Sequence, residues 1–192
     1  MGKYTLEQIK KVMVAKGYSY LTGTNQLNII GVRESLDLDK FNDEIYLLYN
    51  NGVETLKGFL ATTKPGKYWM EHPMNVKGTG ILAPGQYPNS HCRGKHQGQY
   101  NALVQCGNLS VYRDSNKDDV FDLILCSLEK GAGFGINIHH AGINSTLVGK
   151  WSAACQVFAN EADFDFMMSL VSISTQKFFT YTLLTSQDFN IS

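Results

Sequence analysis

The segment from Gly135 to Phe158 holds the residues of this sequence that are best suited to covalent chemistry. A predicted strand delivers His139 into a polar loop, and the loop returns through Ser152-Ala153-Ala154 to Cys155, 16 positions later. A cysteine needs a neighbouring imidazole to act as a thiolate, because a free thiol is mostly protonated at neutral pH. The small residues before Cys155 also allow backbone N–H groups to face a developing oxyanion. The pattern indicates a Cys/His nucleophile pair, and a simple buried thiol is the alternative.

Two adjacent histidines compete for the role of the base. In a strand over residues 135–140, His139 and His140 point to opposite faces, so only one of them can face Cys155. The Ile-His order and the 16-residue spacing favour His139. Asn137 lies on the same face as His139 and would orient it, although a packing role for Asn137 is equally open. The other histidine would then lie at the surface or support the site.

This segment resembles the catalytic motif of the L,D-transpeptidase (YkuD-type) family. In that motif an apolar residue and a histidine precede a Ser-x-Gly-Cys sequence by about 14 to 17 residues. Ile138-His139 and Ser152-Ala153-Ala154-Cys155 match its two halves. The departures from the family pattern are Ala154 for its glycine, Ala153 for its usual second histidine, His140 for the glycine after the first histidine, and Val157 for its arginine.

An upstream segment agrees with the resemblance. Thr63-Lys64-Pro65-Gly66-Lys67-Tyr68 is a loose version of the family's Thr-Pro-x-Gly-x-Phe sequence, although Pro-Gly is also a common turn pair. The resemblance covers roughly residues 55–160 of a predicted single domain over 1–192. The first 50 residues, a predicted helix followed by strands, match no part of the family pattern.

The resemblance implies a cysteine-dependent acyl transfer on peptidoglycan stem peptides, without a metal or another cofactor. Cys155 would form a thioester, His139 would be the base, and the N–H groups of Ala154 and Cys155 would bind the oxyanion. Ser152 would donate a hydrogen bond to the loop or to the substrate. An acceptor amine would give a cross-link, and water would give hydrolysis (an L,D-carboxypeptidase or endopeptidase); both outcomes stay open.

Two other functions stay open as well. Ala153 and Ala154 replace motif residues, which favours a catalytically inactive cell-wall-binding or phage structural module of the same fold. A thiol hydrolase acting on other D-amino-acid peptides is the third reading. Thiol reactivity at Cys155 discriminates the enzyme from the module.

Further residues are expected to line a substrate groove. They are Asn137, His140, Trp151, Arg93, His96 and Tyr68, with Trp69 and Tyr87 as additional aromatic candidates. The segment from His91 to His96 is predicted to be a polar, basic loop whose Arg93 or Lys95 meets a substrate carboxylate; an ordinary surface loop is the alternative. A metal bound by His91, Cys92 and His96 is disfavoured. The oxygen-bearing side chains between Asp114 and Asp122 partly fit the pattern of a calcium-binding loop. A solvent-exposed acidic turn is the alternative.

Composition restricts the remaining possibilities. The chain has 192 residues, of which 43% are hydrophobic and 18% charged, with 17 basic and 17 acidic side chains. The balance provides no overall field for nucleic acid, and no apolar run approaches the ~20 residues of a membrane span. The N-terminal sequence does not have the pattern of a signal peptide. Action on a cell wall, in the periplasm or in a virion would therefore need another export route.

The hydrophobic pattern predicts a mainly β fold, a β-sandwich or barrel-like domain for which the resemblance implies the L,D-transpeptidase-type fold. It has one N-terminal and one late peripheral helix. Thr5 and Gln8 form a capping box for the first helix, and Asn160 caps the second, over 161–171. The strands are expected at 27–33, 44–49, 53–62, 80–83, 102–106, 109–113, 135–140 and 178–184. Four cysteines without an export signal are expected to be reduced.

Overall fold

A computed structural model describes residues 2–120, 126–143 and 145–190. The chain is mainly β, with 39% strand and 18% helix. Three helices are present in the described residues: α1 (Leu6–Ala15), α2 (Lys67–Glu71) and α3 (Glu161–Ile173). The strands are β1 (Leu27–Arg33), β2 (Asp43–Asn50), β3 (Glu54–Thr62), β4 (Gly80–Leu82), β5 (Gly85–His96), β6 (Tyr100–Gln105), β7 (Leu109–Arg113), β8 (Ser127–Gly131), β9 (Ile138–His140), β10 (Gln156–Phe158) and β11 (Phe178–Thr185), and a 3-10 turn follows at Ser186–Asn190.

Eight strands close into a barrel in the order β1-β11-β5-β6-β9-β10-β3-β2, and β4-β7-β8 form a separate sheet. Most neighbours are antiparallel, but two pairs are parallel: β1 with β11, and β9 with β10, where His139 lies opposite Val157. Parallel neighbours need a long crossover connection because the chain must return to the same end of the sheet. Residues 141–155 are that connection, which we call the crossover loop, and it ends at Cys155.

The helices cover the barrel at two places. α1 packs Ile9, Val12 and Met13 against the outer face of β1, β2 and β11. α3 places Phe164, Met167, Leu170 and Val171 in the main core with the inward side chains of the strands. The predicted caps are confirmed: Thr5 and Gln8 form a complete capping box, and the Asn160 side chain accepts the Asp163 N–H. Among the described helices, none has the length and apolarity to cross a membrane.

The predicted β class is confirmed, and so are most of the strand positions, but the segment from His91 to His96 is not a loop. It belongs to the 12-residue strand β5, whose backbone pairs with β6 on one side and β11 on the other. The hydrophobic pattern does not reveal this strand, because its side chains are largely polar. Its contacts with β6 and β11 are formed by backbone hydrogen bonds. Pro88 is tolerated near a register shift in the pairing with β11.

Other details also differ from the prediction. The expected strand over 135–140 is limited to β9, and the sequence did not reveal the short elements α2, β8 and β10. Residues 106–108 connect β6 of the barrel to β7 of the three-stranded sheet.

A buried polar cluster joins the barrel to the segment before Pro65. The Lys64 ammonium and the Asp43 carboxylate lie 3.1 Å apart, and both side chains are fully buried. Asp43 also accepts the Thr63 N–H and hydroxyl at 2.8 Å, and Arg33 donates to the Thr63 carbonyl at 2.7 Å. Burial lowers the pKa of both Lys64 and Arg33, because it penalises their charged forms. Asp43 opposes this effect and is therefore the acidic centre of the cluster.

Candidate active site

The crossover loop is held against the upstream Pro65-Gly66 turn. The Gly66 N–H donates to the Ser152 carbonyl at 2.8 Å, and the Trp69 indole N–H donates to the Lys150 carbonyl at 3.0 Å. A Cβ atom on Gly66 would lie 2.0 Å from the Gly149 carbonyl oxygen, so the close approach requires glycine. The two segments that carry the family resemblance therefore pack on each other.

Cys155 is half-buried at the end of the crossover loop. Its Sγ atom accepts the Asn137 N–H at 3.5 Å and donates to the Gly135 carbonyl at 3.6 Å. Burial raises the pKa of the Cys155 thiol to about 11, and the Asn137 N–H acts in the opposite direction. The thiol is therefore protonated at neutral pH and needs a base to become a nucleophile.

His139 is buried on the neighbouring strand, and its shorter Nδ1 contact favours one tautomer. Its Nδ1 lies 2.9 Å from the His140 carbonyl oxygen, to which an Nδ1–H donates, so Nε2 carries the lone pair. Within the described residues Nε2 forms no hydrogen bond of good geometry, although the Trp151 backbone is close enough to the ring to raise its pKa. Burial and the nearby His96 lower the pKa of His139 to about 3, so the ring is neutral near pH 7. The neutral imidazole can accept a proton, but a pKa of about 3 makes it a weak base towards a thiol whose pKa is about 11.

His96 and Asn137 connect the two candidates. The rings of His96 and His139 stack with their centroids 3.9 Å apart, and the Asn137 amide lies 3.2 Å from His96 Nδ1. In the parallel pairing of β9 and β10, Val157 lies opposite His139. Cys155 precedes Val157 by two residues and therefore lies on the same outer face of the barrel. In the described part of the chain no hydrogen bond joins Cys155 to His139, so the two side chains share a face without direct bonding.

The two histidines diverge as the strand geometry predicts. His140 contacts Tyr100 and Phe164, which belong to the side of the barrel covered by α3. The Tyr100 hydroxyl lies 3.4 Å from His139 Nδ1. Sequence reasoning missed Tyr100, and only the pairing of β6 with β9 brings it here.

Ser152 and Ala154 stabilise the turn that carries Cys155. The buried Ser152 hydroxyl donates to the Cys155 carbonyl at 2.8 Å and accepts the Ala154 N–H at 3.3 Å. The Ala154 N–H is therefore engaged inside the loop instead of facing an oxyanion. The backbone hydrogen bonds of the described loops include none from the Cys155 N–H, which is the remaining oxyanion-hole candidate.

A cleft of about 440 Å³ opens beside Cys155, between the crossover loop and the three-stranded sheet. Of the residues predicted to bind substrate, it contains Asn137, His96 and Trp151. Trp69, Lys150 and Arg113 also line it. The cleft combines a thiol, two indole rings and basic side chains, as a site for a peptide would.

Four predicted groove residues lie outside this cleft. Arg93 donates to the carbonyls of Ser174 and Gln176 after α3, which uses its guanidinium structurally. Tyr68 stacks on His72 outside the cleft, while its neighbour Trp69 lines it. Tyr87 is buried in the core and donates its hydroxyl to the Ala83 carbonyl. Arg93 and His140 instead line a second groove of about 620 Å³ beside α3.

In the described residues no group of three or more His, Cys, Asp or Glu side chains is placed to hold a metal. The His91 ring is buried between Ser90 and the Ile136 carbonyl. Asp114 accepts the N–H groups of Lys117 and Asp119, whereas Asp122 lies outside the described residues. None of the four cysteines is joined in a disulfide.

The pKa values predict how alkylation of Cys155 depends on pH. With a thiol pKa of about 11, the thiolate fraction should rise about tenfold per pH unit from pH 6 to pH 10. Iodoacetamide labelling, read by peptide mapping at Cys155, should therefore increase over this whole range. A plateau between pH 6 and pH 8 would instead reveal a preformed thiolate–imidazolium pair and contradict the neutral resting state.

The arrangement supplies the parts of a cysteine acyl-transfer site. They are a thiol at the wall of a cleft, a buried neutral imidazole on the same face, and the backbone N–H of Cys155 as an oxyanion-hole candidate. Comparisons of the chain with protein-family models, with curated proteins and with solved structures find no match.

Proposed function

We propose that this protein is a cysteine acyl-transfer enzyme of the L,D-transpeptidase type, acting on peptidoglycan stem peptides with an L,D-transpeptidase-like fold. The observation that carries the proposal is the His139 ring. Its Nδ1 is bonded to the next carbonyl of its own strand, and its Nε2 is unpartnered on the face that Cys155 shares. A buried imidazole that only filled space would be expected to satisfy both nitrogens.

The proposed reaction begins when Nε2 of His139 removes the proton of the Cys155 thiol. The sulfur then attacks a peptide carbonyl carbon, and the Cys155 N–H stabilises the oxyanion. The C–N bond breaks, the leaving amine takes the proton from His139, and a thioester remains on Cys155. An acceptor amine or water attacks this thioester, releases the thiol and completes a cross-link or a hydrolysis.

The gap between Cys155 and His139 does not oppose this role. Catalytic hydrogen bonds are often long before the substrate binds and tighten in the complex. His96 supports the imidazole from one side by stacking, and Asn137 contacts both His96 and the Cys155 sulfur. These two residues act as positioning residues.

The experiment is to trap the acyl-enzyme with a defined disaccharide tetrapeptide. Acid-quenched samples analysed by intact-protein mass spectrometry should gain the mass of the donor acyl group. Peptide mapping should place the adduct on Cys155, and neutral hydroxylamine should remove it, as expected of a thioester. In His139→Ala the adduct should form about 10² to 10⁴ times more slowly. An adduct on another residue, or an unmodified protein that leaves the substrate intact, would contradict the proposal.

A catalytically inactive wall-binding or phage structural module is the second candidate. The observation in its favour is the burial that raises the pKa of Cys155 to about 11, without a hydrogen bond to His139 in the described structure. This candidate predicts a Cys155 that stays unlabelled in the folded protein and that alanine replaces without loss of wall binding.

A further inference from the structure

The charged side chains that line the cleft beside Cys155 are all of one sign. Among the described residues that line it, none is acidic, while Lys150 and Arg113 are basic. A cleft with cations and no carboxylate favours an anionic ligand, because the surrounding surface does not neutralise the field within it.

The charge of Arg113 is already paired. Its Nε donates to Glu129 at 3.0 Å, and its Nη1 donates to the Gly78 carbonyl at 3.3 Å. Arg113 therefore shapes the cleft while its guanidinium is held by Glu129 of the adjacent strand β8, a carboxylate that Lys77 also contacts.

Lys150 has no carboxylate partner in the part of the chain that the structure describes. Its ammonium lies 4.2 Å from the centre of the Tyr68 ring, and its carbonyl is fixed by the Trp69 indole. An exposed cation–π contact is worth about 0.5–1 kcal/mol, whereas a hydrogen bond to a charged group contributes about 1.5–3 kcal/mol. An incoming carboxylate would therefore be a stronger partner for the Lys150 ammonium than the Tyr68 ring.

We infer that Lys150 binds a free carboxylate of the peptide whose carbonyl Cys155 attacks. This inference rests on the proposed function and assigns the carboxylate contact to Lys150, since the guanidinium of Arg93 is occupied by the carbonyls after α3. Trp151, 44% exposed and next in sequence, lines the same wall of the cleft. The site thus selects peptides that carry a carboxylate near the scissile bond over their amidated forms.

The test measures binding without turnover, in a Cys155→Ala background, by calorimetry. The two ligands are a stem tetrapeptide with free carboxylates and its fully amidated counterpart. Lys150→Gln should weaken binding of the free acid about ten- to a hundredfold and leave the amide unchanged. Lys177→Gln is the matched control, because Lys177 also lies over an aromatic ring, that of Phe178, at 5.5 Å. This control should change neither affinity.

Equal binding of both peptides, or an equal loss for both in Lys150→Gln, would overturn the inference while leaving the proposed function intact. Failure of both peptides to bind, together with no turnover by the unmodified protein, would overturn the proposed function itself. The two failures are therefore distinguishable.

Discussion

Cys155→Ala is expected to reduce turnover of a stem-peptide substrate by at least about a thousandfold. The substitution removes the sulfur that forms the thioester, and no other described cysteine lines the same cleft. The fold should survive because the side chain is half-buried at the edge of a small apolar cluster. The measurement is the steady-state rate at saturating substrate, with the circular dichroism spectrum recorded on the same samples.

Cys106→Ala is the matched control for this experiment. Cys106 is an exposed cysteine just beyond the end of β6, outside the described lining of the cleft. Its replacement should leave the rate within about twofold, as expected for a surface change away from the site. A Cys155→Ala protein that retains full activity would exclude the thioester mechanism.

Asp43→Asn is expected to lower the free energy of unfolding by about 3–5 kcal/mol, because it leaves the buried charges of Lys64 and Arg33 without their carboxylate. This is a large part of the ~5–15 kcal/mol that stabilises a typical domain. Urea denaturation followed by tryptophan fluorescence measures the change. Cys155 should also label faster in this variant, since Lys64 precedes the Pro65-Gly66 turn that holds the crossover loop.

The control for this prediction is Asp37→Asn. Asp37 is also paired with a lysine, Lys40, but its side chain is 62% exposed. A surface ion pair contributes about 0–1 kcal/mol, so this variant should unfold close to the unmodified protein. If Asp43→Asn is too unstable to purify, Asp43→Asn with Lys64→Met should recover soluble protein by removing one unpaired cation. An Asp43→Asn protein as stable as Asp37→Asn would show that the buried cluster does not stabilise the fold.

The sequence predicts those parts of the fold in which a local pattern decides the structure. β1 and β7 coincide with their predicted ranges, and both helices begin at their predicted caps. β5 escapes prediction because its side chains are polar and its pairing with β6 and β11 is a tertiary property. Barrel closure is also beyond a local pattern, since β1 pairs with β11 across almost the whole chain.

In the candidate site, too, local sequence patterns predict some features, and contacts between distant segments determine the others. The spacing of His139 and Cys155 identifies the strand and the crossover loop that carry them. By contrast, His96 stacks on His139 only because β5, β6 and β9 are neighbours in the barrel. Lys150 carries no motif in the sequence, and its role emerges from the acid-free lining of the cleft. The use of Arg93 after α3 is likewise a contact between segments that are distant in sequence.

The most direct test of the account is mass spectrometry of purified muropeptides after incubation with the unmodified protein, beside Cys155→Ala. We predict that the unmodified protein removes a terminal D-residue or creates a new cross-link, and that Cys155→Ala does neither. The product also separates hydrolysis from transfer. Unchanged muropeptides in both samples, with the protein still sedimenting with cell walls, would contradict the enzyme and favour the binding module.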